Sequence, residues 1–156
     1  MQGNAKVIET LNEVLTSELT AINQYFIHFK LCKNWGYPRI AHKKREESIE
    51  EMKHADEIIE RILFLGGIPN MQRMNPVRVG ERPDEQHRLD LALEVEAVER
   101  LNRGIEEARL AADNGTRALL EKILSNEEES IDWLETQLHL IGELGLERYL
   151  AEQTHS

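Results

Sequence analysis

Apolar residues recur at a helical period through four long stretches of this chain, and no stretch alternates as a strand would. From Val7 to Phe29 they fall at Val7, Leu11, Val14, Leu15, Ile22, Tyr25, Phe26 and Phe29, one face of a first helix. Asn34-Trp35-Gly36 supplies a terminating glycine, and Pro38 suits the first turn of a second helix that runs to about Leu65 and stops at Gly66-Gly67 and Pro69. Pro83 followed by Asp84-Glu85 opens a third helix, with acids at the positive end of its dipole. Asp113-Asn114-Gly115-Thr116 reads as a turn ending in an N-cap, from which a fourth helix reaches about Leu144. After Gly145, residues Leu146 to Ala151 fit a short fifth helix. Helices of roughly 27 to 30 residues are about 40 to 45 Å long. The expectation is an all-α, long four-helix bundle in one domain spanning residues 1–156.

The connection between the second and third helices carries topology. Residues 66–82 hold few periodic apolar positions but several glycines and prolines. Antiparallel neighbours need only a short turn, so a linker of about 16 residues predicts a crossover along the length of the bundle.

Charge narrows the function. Nineteen Lys plus Arg against 29 Asp plus Glu leave a formal net charge of −10, which disfavours nucleic acid and anionic membrane and suits cations. The lone Cys32 cannot form an internal disulfide and, like His28, is expected to be structural. A reducing compartment fits. No apolar leader and no run long enough to span a bilayer is found, so a cytoplasmic protein is expected.

Each apolar stripe is interrupted by one acid. Glu18 shares its face with Leu11, Val14, Ala21, Ile22 and Tyr25; Glu51 with Ala55, Ile58, Ile62 and Leu65; Glu94 with Leu91, Ala97, Val98, Leu101 and Ile105. Glu127 lies among Leu120, Ile123, Leu124, Ile131 and Leu134 with no basic residue on its stripe. A single such acid is ordinarily explained by a Lys or Arg from a neighbouring helix or by snorkelling. Four at once are best explained by divalent metal, because facing carboxylates repel unless protonated or bridged. His54, three residues after Glu51, adds imidazole nitrogen, and oxygen with nitrogen suits iron or manganese.

This set resembles the arrangement of ferritin-like di-iron proteins, in which two helices give one Glu each and two give Glu-x-x-His. Glu18, Glu94 and Glu51-x-x-His54 fit it. The fourth helix departs, because Ser130 stands three residues after Glu127. The chain is similar to the bacterioferritin family over nearly its whole length, through Ala21-Ile22-Asn23-Gln24-Tyr25-Phe26, Glu46-Glu47-Ser48-Ile49, Glu51-Met52-Lys53-His54-Ala55-Asp56, Arg61-Ile62-Leu63-Phe64-Leu65 and Ile131-Asp132-Trp133-Leu134-Glu135-Thr136. The resemblance implies a ferritin-like four-helix bundle with a long crossover between the second and third helices, a cage of 24 subunits, and ferroxidase chemistry that feeds a stored ferric mineral.

It also implies a ligand set: Glu18, Glu51, His54, Glu94 and Glu127, with Glu51 and Glu127 bridging a di-iron centre. The family's usual histidine is missing at Ser130, whose hydroxyl is a poor substitute on ferrous iron. No local replacement exists on that helix, since Glu128 and Glu129 lie about 100° to 200° round it and His139 more than two turns away. The loss of that ligand is expected to weaken the second site at least about 10- to 100-fold. Tyr25 and Trp133 either relay electrons or pack the core. Arg45 and Glu46 stand where some relatives carry tyrosine and an inner-surface histidine, although Glu46, Glu47 and Glu50 can still attract cations.

Met52 is the other family feature. By resemblance it is the axial ligand of a b-type haem held between twofold-related subunits, with Leu19, Ile22, Asn23, Phe26, Ile49, Lys53, Asp56 and Ile59 forming the pocket. The implied electron donor is a bacterioferritin-associated ferredoxin. Two functions stay open: an iron-storing ferroxidase, impaired at Ser130, in a cage of like subunits, or a haem-carrying subunit that relies on a competent partner in a mixed cage. A DNA-protecting cage is disfavoured by the acid balance.

Overall fold

A computed structural model describes residues 1–156. It is all-helical, with α1 at Ala5–Asn34, α2 at Pro38–Phe64, α3 at Pro83–Leu110, α4 at Asn114–Leu144 and a short α5 at Leu146–Ala151. The hairpins α1/α2 and α3/α4 pack together, α1 chiefly against α3, into a four-helix bundle. That is the architecture the helical periodicity calls for.

Local chemistry sets the ends. Asn4 caps α1 by accepting from the Lys6 and Val7 amides. Pro38 and Pro83 open α2 and α3, where their missing N–H costs nothing. One boundary differs from the sequence reading: α4 is capped by Asp113, so the helix begins at Asn114 rather than after Thr116. The Asp113 carboxylate accepts from both the Thr116 amide and hydroxyl, and Arg61 donates to it at 2.7 Å. Against burial, Thr116 and Arg61 help keep Asp113 ionised, and an ionised carboxylate is a stronger acceptor for first-turn amides than a neutral cap.

Residues 66–82 run back along the bundle, strapped to α1. Asn12 donates to the Ile68 carbonyl and accepts from the Asn70 amide; Thr16 accepts from Arg73, Thr20 from the Asn75 amide, Gln24 from the Arg78 amide and His28 from the Gly80 amide. These α1 residues lie four apart, one above another on a single face. The strap therefore lies along α1 with four of its backbone amides, those of Asn70, Asn75, Arg78 and Gly80, held by α1 side chains. A Cβ on Gly80 would meet the Gln86 backbone nitrogen at 2.6 Å, so only glycine lets the strap enter α3 this closely.

The interior is layered along the axis. One end is apolar, built on Leu11, Val14, Leu15, Ile58, Ile62, Leu101, Leu120 and Ile123. The middle layer holds Glu18, Glu51, His54, Glu94 and Glu127, all buried. Beyond it lies a polar layer around Lys44 and Asp90, closed by a small cluster of Cys32, Ile40, Ala41 and Tyr149, the last from α5.

Candidate metal centre

All four long helices deliver acid to the middle layer. Each acid lies one helical turn or two from the apolar residues that anchor its helix, so packing those residues forces the carboxylate inward. Ligand atoms of Glu18, Glu51, His54 and Glu127 all lie within 4.8 Å of one another. Glu94 falls in a second group of the same tightness, with Glu51 and Glu47. Glu51 is common to both.

His54 Nδ1 points into the first group. It lies 3.1 Å from Glu127 Oε1, 3.5 Å from Glu18 Oε2 and 3.7 Å from Glu51 Oε2, yet makes an aligned hydrogen bond to none of them. Its other nitrogen, Nε2, is 3.1 Å from the Asn126 side-chain amide, which fixes the ring. Tyr25 donates to Glu94 Oε1 at 2.7 Å. Glu94 Oε2, Glu18 Oε2 and Glu127 Oε1 are buried without a hydrogen bond. Unsatisfied buried polar atoms are rare and costly, and four of the five in this chain, all but Asp84 Oδ1, belong to this layer.

The electrostatics agree. Burial, and then the charge of Glu127, pushes Glu18 up to about 7. Burial and Glu51 do the same to Glu127, also to about 7. Glu51 and Glu94 rise well above the usual carboxylate range, again through burial first and neighbouring acids second. Burial alone would lower the His54 value, but Glu127, Glu18 and Glu51 together raise it. Four carboxylates that resist ionising beside a proton-holding imidazole are a group of ligands lacking their counter-charge.

The acid count differs from one per helix. α2 also buries Glu47, and α3 also buries Asp90 and most of Asp84. Ser130 is buried too, and its hydroxyl donates to Glu47 Oε2 at 2.7 Å. A potential replacement for an α4 ligand therefore exists, on α2 rather than on α4 itself. Spacing within α4 could not reveal it.

Asp90 belongs to a separate polar network that sequence reasoning missed. Lys44, wholly buried, donates to Asp90 Oδ2 at 2.6 Å and to His87 Nδ1 at 2.9 Å. Asp90 Oδ1 accepts from Gln24 and from His28 Nδ1, while His28 Nε2 accepts from the Gly80 amide, which fixes the neutral tautomer. His87 Nε2 donates to the Tyr149 hydroxyl oxygen, and Tyr149 donates to Gln137. Burial and then Lys44 hold His87 well below its ordinary value. Burial would raise Asp90, but Lys44 and His28 bring it down to about 2. Cys32, donating to Gln86 within this layer, is structural packing.

The remaining sequence candidates gather on the outside of α1 and α2. Leu19, Ile22, Asn23, Met52, Asp56 and Ile59 line a mostly apolar concavity of about 350 Å³, joined by Ala55 and by Met71 from the strap. Phe26, Ile49 and Lys53 do not line it, although Phe26 and Ile49 extend the same side. In a single copy of the chain Met52 is 58% exposed and Phe26 52%, a large apolar investment in solvent. No helix is long and apolar enough to cross a membrane, so this face is not explained that way.

The family model for the ferritin-like domain matches residues 8–144. Bacterioferritin from Mycobacterium leprae is 53% identical over 152 residues, covering 97% of this chain and 96% of that protein. The chain belongs to the bacterioferritin family. Bacterioferritin BfrA of Mycobacterium tuberculosis (strain H37Rv) is 51% identical with the same coverage, and bacterioferritin of Streptomyces coelicolor is 50% identical over 157 residues, covering 99% and 94%. This bacterioferritin-family chain carries buried acids at mid-height in its bundle and a methionine on one exposed flank.

Proposed function

We propose that this chain is an iron-storage subunit, residues 1–156 acting as one domain, that oxidises Fe(II) at a dinuclear site formed by Glu18, Glu51, His54, Glu94 and Glu127. The observation that carries the reading is the set of buried ligand atoms without a hydrogen bond, Glu18 Oε2, His54 Nδ1, Glu94 Oε2 and Glu127 Oε1, in two ligand groups that share Glu51. Iron is the substrate. Four ionised carboxylates match the charge of two ferrous ions, so metal takes the place of the protons that burial favours in the empty site. Filling it drives off those protons, and also the one that the neighbouring carboxylates hold on His54. Two ferrous ions then lose one electron each to dioxygen, which takes two protons and leaves as hydrogen peroxide, or to hydrogen peroxide, which takes two protons and leaves as two water molecules. Glu51 lies close to both ligand groups and is the natural bridge, with Glu127 as the second.

We propose further that Met52 holds a b-type haem shared with a twofold-related copy, within a 24-subunit cytoplasmic cage. The residues fit: a soft thioether stands exposed beside a concavity walled by Leu19, Ile22 and Ile59. Haem so held supplies a one-electron route for reducing stored iron, with a bacterioferritin-associated ferredoxin as donor. Asn23 and Asp56 supply the polar rim, with Lys53 next to Met52 beyond it, and Phe26 and Ile49 the apolar flank.

A second reading is favoured by Ser130: a haem-carrying subunit whose oxidation centre needs a competent partner in a mixed cage. Stopped-flow absorbance with about two Fe(II) per subunit separates them. A fast, saturable phase that disappears in Glu51→Gln supports a working centre. No fast phase in the wild type, with one appearing in Ser130→His, supports the mixed cage. Haem retained after Met52→Leu would remove the axial assignment.

A further inference from the structure

Glu47 is the buried acid to which the reading above gives no role. It precedes Glu51 by one turn of α2, so both carboxylates share a face. A ligand oxygen of Glu47 lies within 4.8 Å of others from Glu51 and Glu94. Glu94 supplies the independent sign that something is missing here. Tyr25 occupies only its Oε1, and Oε2 is buried without any donor. Outward from Glu47 and Ser130 a pocket of about 210 Å³ opens, lined by Glu46, Glu50, Glu129, Lys43 and Asn126 with no hydrophobic side chain.

We propose that Glu47 is the terminal ligand of the second metal ion, filling the place that an imidazole at position 130 would take, and that Ser130 is its positioning residue. The inference rests on the dinuclear reading above. Ser130 donates to Glu47 Oε2 at 2.7 Å and so aims the carboxylate. A histidine there would instead compete with Glu47 for the space. The resulting site, Glu47, Glu51 and Glu94, is oxygen-only and suits a hard divalent cation, whereas the neighbouring site keeps the His54 nitrogen. Lys43 Nζ, 3.1 Å from Glu47 Oε1 on a side chain 31% exposed, neutralises the acid while the site is free of metal and can swing aside. The acidic pocket is then the entry for the ion.

Mn(II) binding to the metal-free protein, followed by electron paramagnetic resonance, tests this. Two manganese ions bridged by Glu51 are exchange-coupled, and their spectrum differs from that of separate ions. The wild type is expected to bind two per subunit with the coupled spectrum. Glu47→Gln, which keeps size and one acceptor oxygen for Ser130, is expected to abolish the coupled spectrum, weaken the second equivalent at least about tenfold and retain the first ion. Ser130→His in the Glu47→Gln background is expected to restore coupling, and Lys43→Gln alone to tighten the second equivalent. A coupled spectrum unchanged in Glu47→Gln overturns the inference. So does a wild type that holds one uncoupled ion, an outcome that leaves the His54 site intact. Manganese binding that is the same in wild type and Glu51→Gln would remove the dinuclear reading itself.

Discussion

The bundle buries two charged layers side by side, and they are built on opposite principles. Around Lys44 every polar atom has a protein partner: the lysine meets Asp90 and His87, Asp90 also meets Gln24 and His28, and His28 closes on the strap. Around His54 four buried atoms have none. Lysine and aspartate cancel in the first layer, whereas the second gathers four carboxylates about one imidazole. Burying charge is thus not in itself a sign of function. Burying charge that the protein leaves unbalanced is. The Lys44 layer serves the fold, tying α2, α3, α5 and the strap together, and the His54 layer is completed from outside.

That contrast is broken most severely at Lys44. Lys44→Met removes the cation and leaves Asp90 ionised in a dry interior, because Gln24 and His28 cannot neutralise it. The loss expected is about 3–5 kcal/mol in chemical unfolding. Metal binding should survive wherever the variant remains folded. A loss under about 1 kcal/mol would mean that water or a rearranged side chain reaches Asp90, and the layer would not be the closed device described.

pH separates the layers next. An acid whose pKa rises on folding favours the folded state only while protonated. The contribution of Glu18 and Glu127 is therefore full below the ordinary carboxylate value and lost as pH climbs through about 7. His87 slopes the other way, since its depressed value costs stability as pH falls below about 6.5. The clean readout is the difference between metal-free and Mn(II)-loaded protein, in which the Lys44 layer cancels. The rise in Tm on adding metal should grow by about 5–10 °C between pH 5 and pH 8. A metal effect independent of pH would show that the carboxylates are already ionised.

Glu127→Gln is expected to move stability and binding in opposite directions. At pH 8 the metal-free variant should be more stable than wild type by about 1–2 kcal/mol, since a neutral amide relieves repulsion from Glu51 and Glu94. It should also lose the metal-dependent gain. A change of equal size and the same sign with and without metal would make Glu127 ordinary packing.

Which layer was legible in the sequence follows from the same physics. An acid within an apolar stripe is anomalous on its own helix, so Glu18, Glu51, Glu94, Glu127 and the neighbouring His54 could be picked out by spacing. Lys44 sits on the stripe of Ile40, Ala41 and Glu51, but a lysine there ordinarily snorkels to water. What buries it is Asp90, 46 residues away on another helix, and pairing between helices leaves no trace in spacing. Glu47 was hidden for the same reason, because its meaning depends on Glu94 and Ser130 across the core. The strap's length was readable from its glycines and prolines. Its route was written in Asn12, Thr16, Thr20, Gln24 and His28 at intervals of four, a polar row that an eye trained on apolar rows passes over.

Tyr25 touches both layers, which makes it the finest test of how separate they are. Its ring lies under the Lys44 ammonium, 5.8 Å from ring centre to nitrogen, while its hydroxyl donates to Glu94. Tyr25→Phe keeps the ring and deletes only the bond to the metal layer. Glu94 then has no donor on either oxygen, but its raised pKa lets it stay protonated in the metal-free state. The cost should therefore be about 1 kcal/mol or less, with the Lys44 layer untouched. Removing the hydroxyl should raise the Glu94 value further, because that bond favours the ionised carboxylate. The pH at which metal binding sets in should shift upward accordingly. Isothermal titration with Mn(II) across pH 5 to 8 reads that shift. An unfolding loss of several kcal/mol with no change in the pH of metal binding would instead show that the hydroxyl serves the fold, and that the two layers are one.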